Sequence, residues 1–145
     1  MKKLFAALSL ALMTTAASAE CILNSTTPNE LRPVLREKGW DLKNYDVICK
    51  KMKAAGAKFV ITGKGTVFRG GSVAWAAVHL ADIKTNIILT ETYQSTTGLV
   101  VETSQLAADT LLLNALYNAV NSWEADLDTG LAELAALKKK TFASK

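Results

Sequence analysis

Residues 58–95 read KFVITGKGTVFRGGSVAWAAVHLADIKTNIILTETYQS, three runs rich in β-branched and aromatic residues. Runs of that composition, bounded by glycine and polar clusters, read as strands. The first runs from Lys58 to Arg69 and ends at the Gly70-Gly71 turn; the second runs from Ser72 to Ala81. Asp82-Ile83-Lys84-Thr85-Asn86 is a loop of hairpin length, and the third strand continues through Ile87-Ile88-Leu89 to about Ser95. Three strands joined by such short turns form an antiparallel meander. Gly63 and Gly65 weaken the first strand, or mark a bulge or a close backbone approach there.

Alternation within the second strand separates two faces. Ala74, Ala76, Val78 and Leu80 suit packing beneath a helix, and Val73, Trp75, Ala77 and His79 line the other side. With helices to cover one side alone, Trp75 and His79 become the candidate partner-binding residues. Against this stands shielding of Trp75 by a loop or by the N-terminal helices.

Helical patterns flank the meander. Thr27-Pro28-Asn29-Glu30 resembles a capped helix start with proline at the first helical position. Leu31, Val34 and Leu35 share a face, Pro33 limits the regularity, and Gly39 closes the segment. A second helix runs from Asp41 or Asn44 to Ala55, with Tyr45, Ile48, Cys49 and Met52 on one stripe and Gly56 as its stop. After the strands, Thr103 or Ser104 caps a helix in which Leu106, Leu113, Leu116, Tyr117, Val120, Trp123 and Leu127 recur at three- and four-residue spacing. Asp128-Thr129-Gly130 reads as a break before a last helix, Leu131 to Lys140. The expected fold is α+β, a single domain over residues 20–145 in the order ααβββαα.

The start of the chain has the three parts of a secretory signal: Lys2-Lys3, the apolar run Leu4 to Met13, and the Ala17-Ser18-Ala19 cleavage site. Residues 1–19 are therefore expected to be removed, leaving a periplasmic or secreted product. Lipid attachment at Cys21 would need a small residue before it, and Glu20 stands there, so no membrane anchor is expected. Loss of Lys2 and Lys3 lowers the formal net charge from +4 to about +2. Nucleic-acid binders concentrate basic residues on one face. Here only Lys50-Lys51-Met52-Lys53 and Lys138-Lys139-Lys140 cluster, and both read as solvated helix ends. In an oxidising compartment the two cysteines, Cys21 and Cys49, are most simply a structural disulfide.

Catalytic chemistry finds little support. Gly63-Lys64-Gly65-Thr66 lacks the spacing of a phosphate loop and leads into strand, not helix. His79 is the single histidine, and no G-x-S-x-G turn accompanies it. Zinc would need more nitrogen or sulfur ligands than remain once the cysteines pair. Nothing in the spacing brings Glu91 and Glu102 together for acid–base work. No catalytic residue, metal site or cofactor is expected, and Tyr117 and Trp123 read as core.

The run Ala54-Ala55-Gly56-Ala57-Lys58-Phe59-Val60-Ile61-Thr62-Gly63 resembles the "ADYVITG" strand entry of a group of bacterial envelope proteins. Residues Val78 to Leu89 are similar to that group's "LRLVDVKTGEIL" hairpin. The group includes the curli secretion-channel subunit and the N-terminal domain of the periplasmic Tol-system translocation protein. The resemblance implies an α+β domain that docks to other envelope proteins and performs no catalysis. The functional expectation is an accessory or adaptor module in an envelope assembly, with its oligomeric state and partner open. The alternatives are a small-ligand or lipid carrier, and a secreted inhibitor of a foreign enzyme.

Overall fold

The computed structural model describes residues 21–143, so the expected signal segment, residues 1–19, lies outside the described residues, as does the side chain of Val34. Element order is β1 (Ser25–Thr26), α1 (Arg32–Lys38), α2 (Tyr45–Ala55), β2 (Ala57–Phe68), β3 (Gly71–Asp82), β4 (Ile88–Val100) and α3 (Gln105–Ala143). The sheet is four-stranded in the order β1-β2-β3-β4, with β1 parallel to β2 and the remaining pairs antiparallel. The meander of the sequence is therefore present. It is widened at one edge by a two-residue strand and extended in β4 to Val100.

The end of the chain differs from the sequence expectation. It does not break at Asp128-Thr129-Gly130 but runs as one 39-residue helix, about 58 Å long. Gly130 serves close packing here. A Cβ on it would lie 2.6 Å from Trp123 Cζ3 and 2.8 Å from Leu80 Cδ1, so the missing side chain lets α3 press onto β3. The same logic holds where α3 begins. A Cβ on Gly65 would lie 2.6 Å from the Ala108 carbonyl oxygen, which makes β2 the floor for that end of the helix. Ser104 is the cap, its hydroxyl oxygen accepting from the Ala107 N–H at 3.0 Å.

The N-terminal helix also begins later than its sequence suggests. Pro28 sits in a turn whose carbonyl accepts from the Leu31 and Arg32 N–H groups, and α1 starts at Arg32 with Pro33 in its first turn. In α2, Ile48, Cys49 and Met52 are buried as the stripe requires, and Gly56 ends the helix at a positive φ of 62°. The Cys21–Cys49 disulfide is formed and ties the segment before β1 to α2.

A single core joins α2, α3 and one face of the sheet. Phe59 and Ile61 from β2, and Ala74, Ala76, Val78 and Leu80 from β3, meet Met52, Leu112, Leu116, Val120, Trp123 and Leu127. Leu106, placed on the helical stripe by its spacing, is instead 76% exposed, and the adjoining Ala107 and Ala108 are the buried residues of this turn. Tyr117 is half-buried at the helix margin, where its hydroxyl donates to the Gly39 carbonyl at 3.1 Å.

One lysine of the C-terminal cluster is not a solvated end. Lys138 pairs with Asp82, a carboxylate buried at the close of β3, while Lys139 and Lys140 remain exposed. Asp82 also accepts from the Thr85 N–H and hydroxyl, both at 2.8 Å, and so shapes the β3–β4 turn. That turn ends at Asn86 in the left-handed region, φ 56°, which asparagine tolerates better than most side chains.

The Lys138 hydrogen bond, followed by those from Thr85, outweighs burial and lowers the Asp82 carboxyl from 3.8 to about 2. A carboxyl held lower in the folded than in the unfolded chain contributes stability above its unfolded value. That contribution is lost as pH falls through the folded value, here from about 4 towards about 2. Asp82→Asn is expected to be less stable than the parent at neutral pH, with the gap narrowing across that window. Urea midpoints measured at several pH values check this; a gap that does not change with pH would remove Asp82 as the titrating group.

Candidate functional site

Among the described residues, the helices leave one face of the sheet uncovered. Cross-strand register sets its rows: Val60, His79 and Tyr93 in one, Thr62, Ala77 and Ser95 in the next, then Lys64, Trp75 and Thr97. Because the side-chain period of a strand is two, each of these residues points away from the core that its neighbours fill. Trp75 is 46% exposed and Tyr93 49% exposed, both large for side chains in the middle of a sheet. Neither the N-terminal helices nor a loop shields Trp75.

Trp75 and His79 lie four positions apart on β3, about 13 Å along the strand. The structure places them on one face without bringing them into contact. His79 instead pairs with Tyr93, their rings stacked with centroids 4.9 Å apart. Its Nδ1 lies 3.2 Å from the Leu89 carbonyl oxygen. A carbonyl only accepts, so this nitrogen carries the proton and the contact fixes the imidazole's tautomer and orientation. The histidine is thereby held flat against the tyrosine as one aromatic unit.

Between that unit and the indole lies a shallow depression of about 500 Å³ lined by Thr62, Trp75, Ala77, His79, Tyr93 and Thr97. Its floor is alanine and its rims are aromatic rings and hydroxyls. Lys64, directly opposite Trp75, and Lys58 supply positive charge on the β2 side of the face. This composition suits contact with another surface: flat aromatic area, adaptable hydroxyl groups and peripheral charge. Tyr93 is the member that the sequence alone does not single out. Alternation in β4 would place it on the open face only once the strand's register is known.

The other residues weighed for chemistry lie apart. Glu91 is in the irregular first part of β4, and Glu102 follows its far end, where it accepts from the Ser104 hydroxyl at 2.9 Å. Lys64 stays within strand β2, which leads into strand β3 and not into a helix. Among the described residues, no group of three or more His, Cys, Asp or Glu side chains is placed to hold a metal ion. Trp123 is core, fully buried, as its spacing predicts.

The disulfide is consistent with folding in an extracytoplasmic compartment. Among the described residues, no helix is long and apolar enough to cross a membrane. The chain matches no protein-family model and no curated protein. A solved structure from Caulobacter crescentus, described as a candidate lipoprotein, is similar over 80% of this chain and 90% of its own, with 10% sequence identity and a TM-score of 0.34.

Proposed function

We propose that this chain is a periplasmic protein-interaction module, an accessory or adaptor of a cell-envelope assembly, which docks through its open sheet face. The observation that carries the reading is the exposure of Trp75 and Tyr93 on the one sheet face that no helix covers. Exposed aromatic area rimmed by polar groups is the composition of contact surfaces. The resemblance of residues 54–63 and 78–89 to envelope docking domains points the same way, as does the disulfide. The partner is another envelope protein, and neither nucleic acid nor a cofactor enters the reading.

Crosslinking in intact cells tests it. Trp75→Ala is expected to shift the melting temperature by no more than a surface substitution does, within about 0.5 kcal/mol of stability, while abolishing the crosslinked adduct. His79→Ala is expected to weaken the adduct through loss of the Tyr93 stack. A large fall in melting temperature for Trp75→Ala would show the indole to be core and would sink the proposal. An adduct undiminished in both variants would sink it equally.

A further inference from the structure

The sheet has a second unsatisfied feature besides its open face. Among the described residues β4 is an outer strand, paired only with β3, so its other side has backbone N–H and C=O groups free of a strand partner. Folded proteins protect such edges with lysines, prolines, bulges or covering segments. The β2 edge, beyond the short reach of β1, carries Lys64 at its centre. The register shift between His79 and Ala81 disturbs the first part of β4. From Thr92 to Val101 the strand TYQSTTGLVV has no charged residue and no proline. Its regular portion is long and carries no charge of its own. On the covered face Thr92 and Gln94 donate to Glu133 and Asp126 of α3, while its outer backbone has no strand beside it among the described residues.

That portion is also self-complementary. Tyr93 and Leu99 share the open face of β4, and both are strongly exposed, at 49% and 70%. They stand three residues either side of Thr96. An antiparallel pairing of two β4 strands about a two-fold axis at Thr96 sets each Tyr93 against the other copy's Leu99. It also sets Ser95 against Thr97, and Thr96 against itself. Aromatic–aliphatic and threonine–threonine pairs are favourable cross-strand neighbours. No pair in this register brings two like charges together. We infer that the Thr92–Val101 edge of β4 is a homodimer interface, joining two copies into one continuous sheet centred on Thr96.

This goes beyond the docking face and does not depend on it. An axis normal to the sheet makes the contact isologous, as closed dimers require. It also turns both open faces to the same side, so the pair would present two Trp75 platforms to one partner surface, and bivalent attachment strengthens binding without new contacts.

Sedimentation velocity on the purified, disulfide-intact protein, from about 10 μM to about 1 mM, covers the range expected of a modest interface. A reversible dimer is expected. Leu99→Glu and Tyr93→Lys, each alone, should raise its dissociation constant at least tenfold, because each loses the apolar pair at both ends. The double variant should recover the dimer, since every Lys at 93 then faces a Glu at 99 of the other copy. Recovery by charge exchange is specific to this register, and circular dichroism confirms that all variants fold. A parent that stays monomeric throughout overturns the inference, as does a dimer insensitive to both single changes or unrescued by the double. Trp75→Ala should leave the dimer unchanged and abolish the envelope crosslink, whereas Leu99→Glu should weaken the crosslink without abolishing it, so the two proposals fail separately.

Discussion

Trp123→Ala is expected to destabilise the protein by about 3–5 kcal/mol, the range for truncating a large buried aromatic side chain. Trp123 is fully buried, and three layers of structure meet on it. Its indole N–H donates to the Val78 carbonyl at 3.1 Å, reaching from the helix into β3 close to the register shift of the β3–β4 ladder. Its six-membered ring fills the notch left by Gly130, about two α3 turns further on. Alanine therefore removes packing on two sides and takes the indole donor away from a buried carbonyl. For a domain of this size the melting temperature should fall by roughly 10–20 °C. Trp123→Phe, which keeps most of the ring contact and loses the donor, should cost much less. Urea titration of the three proteins checks the order. A loss below about 1.5 kcal/mol for the alanine variant would mean that α3 can settle into the vacated space, and that Trp123 does not set the helix's distance from the sheet.

The same notch explains where the sequence misleads. Glycine after Asp128-Thr129 carries the local signature of a helix end, and helix propensity alone disfavours glycine by about 1 kcal/mol. Only the three-dimensional neighbours, Trp123 and Leu80, reveal that position 130 needs a residue without a Cβ. Gly63 and Gly65 pose the same ambiguity in β2, where weakening, a bulge and a close backbone approach are all open from sequence, and at Gly65 the backbone of Ala108 comes close. β1 is two residues long, too short for any periodicity to register, and is defined only by its pairing with Phe59 and Val60. The second half of β4 is threonine-rich and half-exposed, so its alternation is weak in hydropathy although its ladder with β3 is regular. By contrast, the two faces of β3 are legible because one is uniformly small and aliphatic. Trp75 and His79 follow from that pattern. Tyr93 does not, since its place beside His79 depends on register between strands.

Removing the Cys21–Cys49 bond by a double alanine substitution is expected to cost about 2–5 kcal/mol, close to the ~3.6 kcal/mol that chain entropy assigns to a loop of this length. The closed loop, Cys21 to Cys49, contains β1, α1 and the first turn of α2, the part of the fold least able to hold itself together. α1 has 7 residues and α2 has 11, both shorter than the ~12–15 residues at which isolated helices become even marginally stable. Besides core contacts of Leu31, Ile48 and Met52, the Lys51–Asp128 ion pair and the Tyr117–Gly39 bond, hydrogen bonds hold this segment. Tyr45 donates its hydroxyl proton to the Cys21 carbonyl and accepts from the Leu23 N–H, the Phe59 N–H reaches the Asn24 carbonyl, and Asn121 of α3 bonds the backbone at Asp41 and Lys43. Two of these converge on the segment that the disulfide itself positions. Without the bond, residues 21–55 should open locally at much lower free energy than the β2–β4 sheet beneath α3. Hydrogen exchange is the discriminating measurement. Amides of α2 should lose protection first and most, while those of β3 keep theirs until global unfolding. If α2 and β3 amides instead exchange at one common free energy in the double variant, the Tyr45 and Asn121 bonds suffice to dock the N-terminal helices, and the disulfide acts only on the unfolded chain.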